Sequence, residues 1–165
     1  MTAASIEVQL RKVALDCMVS PRYASALNAL YKDQGFEFIL VQDIVPPRSG
    51  DDHWSDVFKR FGGEFVISGD TRIACKPRLA CSFIDNGFVS IFLEPPWQGL
   101  LFHLQIAYLV YWWPAFSVHL QKQKPGTLWR APCKSTSGVI HLGPAPLKEL
   151  KIPTHILDKI RITKI

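Results

Sequence analysis

Short apolar runs alternate with helix-start and helix-stop signals from residue 11 to residue 121, and this alternation restricts the fold more than any other feature of the chain. KVALDC is a run of strand formers, after which Ser20 supplies an N-cap and Pro21 fills the first helical position, where its missing N–H costs nothing. Tyr23, Leu27, Leu30 and Tyr31 recur at helical spacing and Gly35 supplies the stop, so a helix is expected over 21–34. FEFILVQ reads as a second strand.

IVPPRSG can continue neither a strand nor a helix, because its prolines and glycine fix a loop. It delivers the chain to a helix over 52–61 that carries Trp54, Val57, Phe58 and Phe61 on one face and ends at Gly62 and Gly63. EFVIS is a third strand, PRLACSFIDNG a short helix stopped by Gly87, FVSIFLE a fourth strand, and residues 98–121 a long apolar helix. Beyond Pro125, LWRAP and GVIHLG read as two short strands, a terminal hairpin or edge extension, before a basic tail. Strands alternating with helices give a parallel sheet covered on both faces. The expected fold is therefore α/β, three-layered, with a parallel central sheet and helices on both sides.

A chain of 165 residues can bury a core as one domain without disulfide staples. The expectation is a single domain over 1–165, with its core over about 11–121 and the short strands and basic tail over 122–165. With 48% hydrophobic and 20% charged residues the composition is that of a globular protein and excludes extended disorder. Cys17, Cys75, Cys81 and Cys133 show neither CxxC pairing nor a histidine at zinc-ligand spacing, so reduced thiols are expected. MTAASIEVQLRK lacks an apolar segment of the secretory type, and a cytoplasmic location is the expectation.

No Asp, Glu, Lys or Arg occurs from Pro95 to Gln121, a length that would permit a membrane span. His103, Gln105 and Pro114 within the run, and its place in the α/β alternation, point instead to a helix buried on most sides and to no membrane partner. Its aromatic residues Tyr108, Tyr111, Trp112 and Trp113 serve either the core or a homodimer interface, the core being the commoner use.

Acidic residues stand where elements change: Asp16 closes KVALD, Asp51 and Asp52 open DDHWSDVFKRF, and Asp70 closes FVISGD. An ionised carboxylate at the end of a buried strand loses hydration and needs a cation, a donor or a metal to offset the loss. In open α/β sheets ligands sit beyond the carboxyl ends of the strands, where Asp16 and Asp70 fall, and Asp51 or Asp52 joins them if its loop crosses the same edge. Such a cluster would suit magnesium or manganese, hard cations that take oxygen ligands, and would serve phosphodiester hydrolysis. Each residue has a plainer use as well: Asp51 or Asp52 as a helix N-cap, Asp70 as the cap of an SGDT turn, Asp16 as a turn acid.

Ser68 and Thr71 flank Asp70 and can bond a metal-bound water or steady a carboxylate, while Arg72, and Arg22 in the first turn of helix one, can meet a phosphate; turn or ion-pair roles are the alternatives. The formal charge of +5 is concentrated late, with nine Lys or Arg between Lys122 and Lys164 against Glu149 and Asp158. A basic surface beside an acidic cleft fits a polyanion, though it fits an ordinary solvated face equally well. Neither a Gly-rich nucleotide motif nor a Ser, His and Asp arrangement is present, so nucleotide cofactors and acyl transfer lack support.

The succession VALDCMVSPRYASALNAL, then DDHWSDVF, then EFVISGDTRI, over residues 11–95, resembles the PIN-like nuclease domains, specifically the group related to VapC-type toxins of toxin and antitoxin modules. The resemblance implies a metal-dependent ribonuclease with an RNA substrate, a cognate antitoxin as partner, and Asp16, Asp51 and Asp70 at the acidic positions. Asp52 stands as the alternate for Asp51, which lies three residues before Trp54 as the pattern asks. Cys17 and Met18 replace the charged or amide residue that many relatives carry there, and no fourth acid is clearly placed, which bears on a second metal.

Overall fold

The apolar runs form strands and the capped segments between them form helices in the computed structural model, which describes residues 9–16, 21–131 and 143–144. In chain order the elements are β1 (Arg11–Leu15), α1 (Pro21–Tyr31), β2 (Phe36–Leu40), α2 (Val41–Ile44), α3 (Asp51–Arg60), β3 (Gly63–Ser68), α4 (Arg72–Cys75), α5 (Pro77–Asp85), β4 (Val89–Leu93), α6 (Phe102–Lys122), β5 (Thr127–Ala131) and β6 (Gly143–Pro144). Among the described residues they build a six-stranded sheet in the order β2-β1-β3-β4-β5-β6. The first five strands run parallel, and the two residues of β6 add an antiparallel edge to β5.

Alternation along each strand divides the core into two layers. Val13, Leu15, Phe36, Phe38, Phe65, Ile67 and Ile91 meet α1 and α6, whereas Ala14, Val66, Phe92 and Leu128 meet α3, α4 and α5. The expected three-layer arrangement is the one observed. Trp113 anchors the first layer, with Phe36 and Phe38 edge-on at 5.0 and 4.6 Å between ring centroids. Trp54 and Phe83 anchor the second at 5.1 Å.

The helix at 98–121 begins later than expected, at Phe102, after a 3-10 turn over Pro95–Trp97, and it passes straight through Pro114. Proline removes the N–H that would bond the carbonyl four residues back, that of Val110. Tyr31 of α1 donates its hydroxyl to this carbonyl at 2.9 Å, which satisfies the orphan and fastens the two helices together. Trp112 and Trp113 are buried, Tyr108 and Tyr111 are exposed, and among the described residues no helix is long and apolar enough to cross a membrane.

At the end of α3 two glycines answer to geometry. Gly62 adopts φ 78° to end α3, and a side chain at Gly63 would meet the Phe58 ring at 2.3 Å. FEFILVQ was expected to be strand throughout; Val41–Ile44 instead forms a helical turn, because β1 ends opposite Leu40 and leaves nothing for a longer ladder to pair with. Of GVIHLG only Gly143 lies within the described residues, as do only Lys122, Lys124 and Arg130 of the late basic residues; Cys17 and Cys133 lie outside them, while Cys75 and Cys81 are free thiols.

Candidate functional site

The strand order reverses between β1 and β3: from β1 the chain proceeds outward to β2, then returns to the other side of β1 to lay down β3. At such a switch point the connections leave in opposite directions and open a crevice beyond the carboxyl ends of the strands. Asp16 follows β1 and Asp70 follows β3, so both reach this edge. Helices return antiparallel to the strands, which brings the first turn of α3, with Asp51 and Asp52, to the same edge. Asp85, ending α5, lies at the opposite edge by the same logic.

Parity selects the neighbours of Asp16. Ala14 pairs with Val66 and Leu15 with Ile67, so the next pair, Asp16 and Ser68, shares the sheet face covered by α3 and α5. Ser68 Oγ donates to Asp16 Oδ2 at 2.8 Å, in a bond buried on all sides, and accepts from the Asp70 backbone N–H at 3.0 Å. Asp16 is only 4% exposed. The hydroxyl thus holds the Asp16 carboxylate and fixes the backbone of Asp70, rather than its carboxylate.

Asp51 occupies the first position of α3, with Gly50 as the N-cap, so neither Asp51 nor Asp52 is the capping residue. Trp54 Nε1 donates to Asp51 Oδ1 at 3.2 Å, which gives the three-residue spacing a physical meaning. Asp16 and Asp51 line one cavity of about 200 Å³, walled further by Leu15, Trp54 and the loop from Val45 to Ser49. Asp52 points elsewhere: Oδ2 pairs with Arg78 of α5 at 2.5 Å, and Oδ1 is buried without a hydrogen-bond partner among the described residues.

Asp70 also faces a cation. Arg72 Nε and NH2 reach its two oxygens at 2.8 and 2.7 Å, and the Arg72 backbone N–H adds a third bond at 2.9 Å. The guanidinium bonds hold the Asp70 carboxyl below its ordinary value of 3.8, against a smaller opposing effect of burial. Thr71 is half-buried at the start of α4, and Arg22 is exposed in the first turn of α1. Among the described residues no three Asp, Glu, His or Cys side chains are grouped closely enough to hold a metal ion. The geometry therefore offers two oxygen donors on one cavity wall rather than a cage of three or four.

Three features of this edge went unread in the sequence. Glu94 directly follows β4 and so belongs to it, with Arg130 of β5 at 3.7 Å from its carboxylate; the signal was the final acid of FVSIFLE. Arg48 of the proline loop lines the cavity. Gln98 Nε2, from the turn before α6, contacts the Gly69 carbonyl and tethers the β3 terminus from the other layer.

An α/β sheet of this order, with carboxylates gathered beyond β1 and β3, defines an acidic-site protein of the doubly wound class. The family described as PIN like domain matches residues 12–95, half of the chain and the part that holds these carboxylates, and the chain belongs to that family. PIN-like domains are generally nucleases. No curated protein and no solved structure matches the chain.

Proposed function

We propose that the protein is a metal-dependent endoribonuclease that hydrolyses RNA phosphodiester bonds, with Asp16 and Asp51 holding a magnesium or manganese ion. The observation that carries this reading is the shared cavity of Asp16 and Asp51 at the sheet's switch point. Their donor set fits such a cation, which is commonly held by one or two carboxylates and completes its shell with water and substrate phosphate oxygens. When bound, the ion supplies an acidified water and neutralises charge on the phosphate.

The chain's own residues supply position. Ser68 orients Asp16 and the Trp54 indole orients Asp51, each through a neutral donor. Asp70 anchors Arg72 at the rim, where Arg72, Thr71 and Arg22 are substrate-side candidates. The resemblance to VapC-type toxins supports a toxin role and a cognate antitoxin, for which copurification with the product of the neighbouring reading frame is the check.

A second reading, a PIN-like RNA-binding or protein-interaction module without hydrolysis, is favoured by one observation: Arg72 and Arg78 occupy Asp70 and Asp52, leaving two carboxylates at the cavity. Incubation of the purified chain with labelled single-stranded RNA and manganese separates the two. Cleavage lost in EDTA and in both Asp16→Asn and Asp51→Asn, but kept in Asp52→Asn, supports the nuclease. Binding without cleavage in the wild type supports the module.

A further inference from the structure

The proline loop carries a residue in a conformation that its side chain does not favour. Arg48 has φ 68° and is the one non-glycine residue with positive φ among the described residues. An L side chain in that region crowds the following carbonyl, and glycine is the usual occupant. A glycine is close by, at Gly50, but it adopts the ordinary φ of −66°. The loop therefore sets a long cationic side chain at the very position where a glycine would cost least.

The turn around it is tied down. Ser49 donates to the Pro46 carbonyl from both its backbone N–H, at 3.2 Å, and its hydroxyl, at 2.7 Å, while Pro46 and Pro47 restrict the backbone on the other side. Arg48 lines the cavity that Asp16 and Asp51 line and is the sole cationic residue among those described as lining it. It nevertheless makes no ion pair with either carboxylate or with any other described residue. Arg72, Arg78 and Arg130, by contrast, are each committed to a carboxylate.

We propose that Arg48 is the phosphate-binding residue of this cavity, its guanidinium engaging the oxygens of an RNA phosphodiester beside Asp16 and Asp51. The proposal rests on the nuclease reading above. Two carboxylates alone repel a polyanion, and an uncommitted guanidinium on the same wall offers the parallel N–H donors that match phosphate oxygens. A loop already held in place orders nothing further on binding, so the contact carries a smaller entropic penalty than a mobile lysine would.

The test is fluorescence anisotropy of the full chain with a labelled single-stranded oligoribonucleotide, in EDTA and again in calcium, across a salt series. Arg48→Ala should weaken binding about tenfold and reduce the slope of log affinity against log salt by about 0.7, the loss of one contact to a single strand. Arg48→Lys should keep the slope while losing part of the affinity. Arg48→Gly should lose binding as Arg48→Ala does while melting no lower than wild type, which separates the guanidinium from the loop's conformation. Wild-type binding together with an unchanged slope in Arg48→Ala and Arg48→Gly overturns the assignment and leaves the nuclease reading standing. A wild type that binds no RNA at any salt removes both.

Discussion

Two groups of acids share one edge of the sheet and differ in what answers their charge. Asp16 and Asp51 border a cavity and accept from neutral donors, the Ser68 hydroxyl and the Trp54 indole. Asp52, Asp70 and Glu94 face arginines at 2.5, 2.7 and 3.7 Å. A place at a strand end brings a carboxylate to the site; its partner decides what it can do there. An acid already facing a guanidinium has its lost hydration offset, whereas the two acids that border the cavity stand where their oxygens can join the shell of a cation bound there.

The sharpest way to break this contrast is to neutralise one acid from each group. Asp16→Asn should reduce RNA cleavage on the order of a thousandfold, since a bound cation supplies several kcal/mol of charge stabilisation. Asp51→Asn should behave alike, and Asp52→Asn should stay within a few-fold of wild type. A gel assay against labelled RNA ranks the three. Equal losses at Asp51 and Asp52 would erase the distinction between the groups.

Ser68→Ala comes next in size. It removes the hydroxyl that orients Asp16, and outer-shell partners of this kind are worth about 10–100-fold in metal affinity. Calorimetric titration with manganese reads the change, and circular dichroism confirms that the fold survives.

That hydroxyl also shows what the sequence could and could not disclose. Asp16, Ser68 and Asp70 were visible as strand-end residues, and the parallel α/β fold followed from the alternation of apolar runs with capped helices. The bond between Asp16 and Ser68 needed the register of β1 against β3, a pairing between segments about fifty residues apart that no local pattern encodes. The choice between Asp51 and Asp52 was open for a similar reason: adjacent helical positions differ in direction by about a quarter turn, so one faces the cavity and the other faces Arg78 of a helix later in the chain. Arg48 escaped notice because its left-handed backbone is set by the tied loop, and a cation between proline and serine reads as ordinary surface.

Arg72→Ala should have the smallest effect. Without the guanidinium the Asp70 carboxyl returns upward to the ordinary range, which carbon-detected NMR titration of the side chain would show. Because the folded value lies below the unfolded one, the pair's contribution to stability is complete well above pH 3.8 and is lost as pH falls through the lower folded value. Arg72 is 77% exposed, so the contribution amounts to about 0–1 kcal/mol. Manganese affinity should stay within a few-fold of wild type; a large gain would move Asp70 into the cation site and redraw the comparison.

Anomalous diffraction from crystals soaked in manganese locates the ion by its own scattering. Coordination by Asp16 and Asp51 predicts a peak in the cavity, with the Asp70 and Arg72 pair intact. A peak held by Asp70 or Glu94 and remote from Asp51, or a cavity that stays empty at saturating manganese, would contradict it.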